Sequence, residues 1–176
     1  WFLGTKFLFY FDQATNSYIK TVSFEDNDSI DLYKGTIIHD DTLWVSTLGS
    51  GLIEIKDGKV IRKLNPKTDK TLPQELEFVN AFHFLDDNKT LLLGTDKGIL
   101  AFDVIARTFT EVNRKAINKE IFHIEKGLGG VFWAAGKKVF HINSTFSKVD
   151  EIAIHEPTNP FSTLFVDREG TAWLSD

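Results

Sequence analysis

Leu43-Trp44-Val45-Ser46-Thr47 recurs along this chain with small changes. It reads Trp1-Phe2-Leu3-Gly4-Thr5 at the start and Leu91-Leu92-Leu93-Gly94-Thr95 in the middle. Weaker copies are Phe132-Trp133-Ala134-Ala135-Gly136 and Ala172-Trp173-Leu174-Ser175-Asp176. The last residues of successive copies lie 42, 48, 41 and 40 residues apart. Three or four apolar residues followed by a small or polar one describe a short strand meeting a turn. A period of this length holds about four short strands, as a propeller blade does.

A second element follows each copy and supports the register. Phe7-Leu8-Phe9-Tyr10-Phe11-Asp12 aligns with Gly51-Leu52-Ile53-Glu54-Ile55-Lys56, with Gly98-Ile99-Leu100-Ala101-Phe102-Asp103 and with Lys138-Val139-Phe140-His141-Ile142-Asn143. Phe9, Ile53, Leu100 and Phe140 share one face, which Phe11, Ile55, Phe102 and Ile142 extend. Leu8, Leu52, Ile99 and Val139 make the other face apolar too, whereas a half-exposed sheet would alternate cleanly. Two apolar faces predict sheets packed on both sides.

A further strand is expected ahead of each tryptophan-type strand, at 79–85 and 161–166. Turn chemistry follows it at Asp86-Asp87-Asn88-Lys89, Gly127-Leu128-Gly129-Gly130 and Asp167-Arg168-Glu169-Gly170. More polar outer strands are expected at 18–24, 59–64, 109–112 and 149–154. Helical periodicity is missing, so the fold class is all-β: a β-propeller segment of four-stranded antiparallel blades. One partial propeller domain spans 1–176, with an incomplete blade at 1–33, blades at 34–75, 76–117 and 118–158, and an incomplete blade at 159–176. The first and last copies are the same strand type, so they compete for one place instead of closing a ring. The expectation is an arc of a larger propeller of about seven blades, whose remaining blades are the arc's partners.

The chain has 176 residues, 42% of them hydrophobic, enough for a core. Twenty basic residues against 25 acidic ones give a net charge of −5, which disfavours nucleic acid and anionic membranes as partners. Cysteine is absent, which removes disulfides and thiolate chemistry. No apolar run is long enough to span a bilayer, so no membrane contact by this segment is expected. Methionine is absent and the sequence opens on Trp1, so it is expected to be part of a longer translation product.

These repeats resemble the two-component regulator propeller repeat: an apolar strand, Asp-x-x-Gly, an apolar-Trp-apolar-Gly-Thr strand, then Gly-Leu and an aromatic strand ending near Asp. The front half is seen best in Leu164-Phe165-Val166-Asp167-Arg168-Glu169-Gly170-Thr171-Ala172-Trp173-Leu174. The back half is seen in Leu43 to Thr47 with Gly51-Leu52-Ile53, and in Leu93-Gly94-Thr95 with Gly98 to Asp103. Single copies depart from it: Leu92 stands for the Trp, Gly136 and Asp176 for the Thr, and no Asp-x-x-Gly precedes Trp44. The resemblance implies the periplasmic sensor half of a hybrid histidine kinase, an inner-membrane protein. It also implies a small-molecule or oligosaccharide ligand, carbohydrate in many members, and frequent homodimers. Any kinase activity would lie outside this segment, which is read as a non-enzyme.

Trp44, Trp133 and Trp173 occupy one repeat position and are read as packing elements, not sugar platforms. His83 and His123 are the ligand-binding candidates. Both fall in first strands, which line a propeller channel, and their 40-residue spacing suggests similar places on adjacent blades. The competing reading is a hydrogen-bonded channel histidine, which is favoured. His39 adjoins Asp40 and Asp41 at a turn; His141 and His155 show no evident partner.

The run Glu25-Asp26-Asn27-Asp28-Ser29-Ile30-Asp31 imitates a calcium loop, but Asp31 stands where Gly is needed and Ile37 where a bidentate Glu is needed. It is read as a solvated connection. The phosphate-binding glycine loop, Gly-x-Ser-x-Gly and His-Glu-x-x-His are absent, so no catalytic residue, metal or cofactor is expected. The rival readings are a catalytic propeller, such as a polysaccharide lyase or hydrolase using His83 or His123 beside a carboxylate, and a protein-interaction scaffold.

Overall fold

In a computed structural model of the chain, the described residues are 2–3, 6–24, 32–39, 41–47, 49–155 and 158–175. They fall into two compact units, Trp1–Val79 and Asn80–Asp176. Among the described residues there are only strands and two short 3₁₀ turns, Gln74–Glu77 and Leu128–Gly130. The calcium-like run Glu25 to Asp31 lies outside the described residues, as do Trp1 and the side chain of His39.

The first unit holds a three-stranded sheet of β1 (Phe2–Leu3), β2 (Phe7–Asp12) and β3 (Ser17–Ser23). It also holds a four-stranded sheet of β4 (Leu32–His39), β5 (Thr42–Thr47), β6 (Leu52–Lys56) and β7 (Lys59–Leu64). A second four-stranded sheet runs through β8 (Val79–Phe84), β9 (Thr90–Thr95), β10 (Gly98–Asp103) and β11 (Thr108–Val112). A third runs through β12 (His123–Lys126), β13 (Phe132–Ala135), β14 (Val139–Ile142) and β15 (Val149–Ile152). The hairpin of β16 (Thr163–Val166) and β17 (Ala172–Ser175) follows. Every sheet is an antiparallel meander in which sequence neighbours are sheet neighbours. These are β-propeller blades.

The strands bury both faces because both faces are apolar. Leu52 and Ile53, Ile99 and Leu100, and Val139 and Phe140 point opposite ways and are all buried. In the first unit, Leu8, Val22 and Phe24 meet Leu43, Val45, Ile53 and Ile55 across two adjacent sheets. In the second unit, Leu92, Ile99 and Val112 meet Ile124, Phe132, Phe140 and Ile142. The opposite face of that last sheet carries Ala135 and Val139, which pack on Leu164 and Leu174 of the β16–β17 hairpin. Each such Leu, Ile or Phe contributes about 1.5–3 kcal/mol by leaving water. Outer strands are polar, with Thr108, Thr110 and Glu111 of β11 exposed. Phe11, expected to extend the buried face, is 38% exposed. It pairs with Tyr18 one rung from the turn of the β2–β3 hairpin, with the two rings 5.2 Å apart.

Hairpins are closed by their own side chains. The Asp87 carboxylate accepts from the backbone N–H of Lys89 and Thr90 and from the Thr90 hydroxyl. Asp167 accepts from Glu169 N–H and Thr171 N–H, and from the Trp173 indole at 2.7 Å. The indole first and then the backbone donors hold the Asp167 carboxyl below its usual pKa. Asp103 and Asn143 close the third-to-fourth strand turns in the same manner.

The repeat Thr and Gly have a different task. Thr47 Oγ1 donates to Gly51 O at 2.9 Å and Thr95 Oγ1 donates to Gly98 O at 3.0 Å, closing the second-to-third strand turns. A chain connector then crosses each turn almost in contact. Ile121 N–H donates to Thr95 O at 2.8 Å, and Phe161 N–H donates to Gly136 O at 3.0 Å. A Cβ on Gly136 would sit 2.0 Å from Glu120 O, and one on Gly98 would sit 2.4 Å from Ile117 O. Gly136 therefore replaces the repeat Thr where the connector's carbonyl leaves no room. Gly136→Ala is expected to cost about 3 kcal/mol or more in chemical denaturation, since backbone must move. Gly129→Ala, with φ +68° and nothing within 4 Å, should cost only about 1 kcal/mol.

Candidate functional site

The blades of the second unit have two ends with different chemistry. One end carries the β8–β9, β12–β13 and β16–β17 turns. There Lys126, the last residue of β12, forms an ion pair with Asp86 of the β8–β9 turn. Beside it His83 is half-buried, its ring edge-on to Phe132 with centroids 5.4 Å apart. Burial, then the nearby Lys126 charge, lowers the imidazole pKa below 6.5, while Asp86 opposes the shift. His83 is thus neutral at pH 7, able to donate one hydrogen bond and accept another. Next to Lys126, partial desolvation raises the Glu125 pKa.

His123 stands at the other end as the first residue of β12. Its Nε2 donates to the carbonyl of Phe161 at 3.0 Å, tying β12 to the segment that enters β16. The two histidines do not converge. His83 packs at the rung where Lys126 pairs with Phe132, and His123 pairs with Ala135 three rungs away. That is about 10 Å along the strand. The place of His123 in the preceding blade belongs to Ala81, which meets Gly94 as His123 meets Ala135. The strand repeat there is 42 residues, so a 40-residue spacing lands two positions out of step.

The tryptophans divide. Trp44 is fully buried. Trp133 is half-buried against Leu164 and the second-unit core, edge-on to His141 at 4.9 Å. Trp173 is 59% exposed, anchored through its indole N–H, and pairs across the hairpin with the exposed Phe165.

The end that holds His123 also holds a cleft of about 430 Å³ lined by Asp96, Asn118, Lys119, Glu120, Lys137 and Lys138. These residues come from the β9–β10 turn, the connector into β12 and the β13–β14 turn. None was singled out in the sequence, because nothing in their spacing brings the three segments together. Among the described residues no group of three or more His, Asp or Glu could hold a metal, and no helix is long and apolar enough to cross a membrane.

The fold and its blade junctions define a β-propeller segment. It is similar, with a TM-score of 0.74 and 17% identity over 98% of this chain, to a structure described as the extracellular domain of the hybrid two component system BT4673 from B. thetaiotaomicron. That of BT3049 from the same organism gives 0.74 and 16% over 94%. The chain spans 23% of the length of each of these. The WD40 propeller of Doa1 is similar at a TM-score of 0.63 and 10% identity, over 82% of this chain and 47% of that one. No family model matches the chain, and no curated protein matches it in sequence.

His83 provides a direct check of the first end. Its NMR titration midpoint is expected below 6.5, to rise in Lys126→Gln and to fall further in Asp86→Asn. The folded state holds fewer protons than the unfolded state, so stability falls as pH drops through the ordinary histidine value toward the lowered one. Melts followed from about pH 7.5 to about pH 5 should lose that component in His83→Gln.

Proposed function

We propose that this chain is part of a ligand-sensing, extracytoplasmic β-propeller of a bacterial two-component regulator of the hybrid histidine kinase type, a member of the two-component regulator propeller repeat family. The observation that carries this reading is the shared backbone path with the BT4673 and BT3049 extracellular domains over nearly the whole chain. The repeat signature Asp167-x-x-Gly170 with Trp173 supports it, since the Asp carboxylate and the Trp indole bond to each other. The blades divide at 34–75, 76–117 and 118–158 within one partial propeller domain, and the three four-stranded meanders support that division.

In this reading the segment lies in the periplasm, receives a small-molecule or oligosaccharide ligand, and belongs to a homodimer. Ligand binding changes how protomers pack, which requires different affinities in two signalling states. His83 and His123 are candidate ligand contacts. His83 is the better placed, since His123 already holds the Phe161 carbonyl. Catalysis lies outside the segment in this reading: the carboxylate near His83, Asp86, is ion-paired with Lys126, and His123 Nε2 is held by the Phe161 carbonyl.

The test uses the intact regulator. Its ectodomain should gain several degrees of melting temperature with one member of a glycan panel, and the same glycan should switch a transcriptional reporter. A flat response across a broad panel in both measurements would reject carbohydrate sensing, and recovery of the protein in the cytoplasmic fraction would reject the sensor placement.

A further inference from the structure

We propose that the junction between the β12–β15 sheet and the β16–β17 hairpin holds a neutral sugar, whose hydroxyl groups donate to the Glu125 carboxylate and accept from the Trp133 indole N–H. This deepens the sensor reading and rests on it for the biological role; the binding itself rests on the residues of the junction.

Glu125 and Trp133 stand directly opposite each other across β12 and β13. Their side chains therefore leave the same face of the sheet, with Cβ atoms about 4.5–5.5 Å apart. That face is turned to the hairpin, since Trp133 and Ala135 pack with Leu164, Ala172 and Leu174. Glu125 is exposed, while the protein around it desolvates the carboxyl enough to raise its pKa. No ion pair or hydrogen bond engages it among the described residues. Lys126, its chain neighbour, leaves the opposite face and is paired with Asp86.

The indole donor is also uncommitted, because its turn lacks a carboxylate. In the last hairpin Asp167 stands six residues before Trp173 and accepts from its Nε1–H at 2.7 Å. Gly127 stands at the same distance before Trp133. The two turns are closed alike, by Gly127 N–H to Val131 O and by Asp167 N–H to Thr171 O. A Cβ on Gly127 would lie 3.1 Å from Trp133 Nε1, so the ring edge rests over bare backbone where the other turn has its carboxylate. The Trp133 N–H has no acceptor among the described residues and is open to solvent.

Room comes from one change between repeats. In the preceding junction Phe132 of β13 fills the space beside His83. The residue that corresponds to Phe132 in the hairpin is Ala172: each precedes the tryptophan, and each pairs with the last residue of the inner strand, Lys126 or Val166. His83 and Glu125 correspond too, each two residues beyond the position that meets Gly94 or Ala135. A phenyl ring in one junction is thus a methyl group in the next, which leaves space in front of Glu125.

A hydroxyl group both donates and accepts, so neighbouring hydroxyls of a sugar ring match an unpaired carboxylate beside an unpaired N–H. The Glu125 charge repels an anionic ligand. An ammonium group would meet the carboxylate but leave the indole N–H without an acceptor.

The experiment is calorimetric titration of the intact regulator's ectodomain with glucose, galactose, mannose, xylose, glucosamine and the uronate of whichever neutral sugar binds. At least one neutral sugar should bind, and its uronate should bind more weakly. Glu125→Ala should weaken binding about tenfold or more at an unchanged melting temperature. Trp133→Phe, which keeps a ring but removes the donor, should weaken it about threefold or more. Ala172→Phe, which restores the ring of the preceding junction, should abolish it. No binding of any neutral sugar, a uronate that binds more tightly, or unchanged affinity in Glu125→Ala would overturn the proposal; binding of glucosamine alone would overturn its neutral class. If a neutral sugar binds through Glu125 and the reporter ignores it, the sensor reading fails and the junction site stands. A reporter response that survives Glu125→Ala spares the sensor reading and removes the site.

Discussion

The architecture depends on one close approach: the connector leaving each blade passes over the second-to-third strand turn at backbone distance. At Gly98 this path leaves no space for a side chain, at Gly136 the connector entering its own blade leaves none, and the amides of Ile121 and Phe161 reach Thr95 O and Gly136 O. These are hydrogen bonds between blades, not within one. They set the offset of successive sheets, and the apolar faces then fill the gap that the offset leaves. The same sheets bring Phe132 and Ile142 against Leu92 and Ile99.

The same approach creates the chemistry of that end. A connector pressed on a turn brings side chains from three distant segments around one depression. The connector is held there by its own backbone, through Ile117 N–H to Asn113 O and Ile121 N–H to Thr95 O. At the opposite end the side chains of the turns are consumed by the turns themselves. Asp87 and Asp167 bond to their own backbone, and Lys126 is paired with Asp86. His83 is left there as a neutral, half-buried imidazole beside a ring.

Strand order and two-sided burial were legible in the sequence because both are consequences of local pattern. Runs such as Gly98 to Asp103 are apolar on both parities, and only a sheet covered on both sides accommodates that. The turns were legible through Asp, Asn and Gly. Long-range convergence was not legible. Lys119 and Lys137 are 18 positions apart with the two strands β12 and β13 between them, and no periodicity links them. The histidines illustrate the opposite hazard: 40 residues resemble one repeat, yet the local strand repeat is 42, and two positions move a side chain along the strand without changing its face. Trp173 shows that a repeat position fixes a hydrogen bond more faithfully than a degree of burial.

Because the junction between blades is written in main-chain atoms, the letters around the depression are at liberty to change. Asn118, Lys119 and Lys137 can be replaced without disturbing the amide of Ile121 or the carbonyl of Glu120. A lineage built on this junction can exchange its recognition chemistry blade by blade while the scaffold persists. A shared fold at fewer than one identical residue in five, as with the B. thetaiotaomicron domains, is compatible with such a junction.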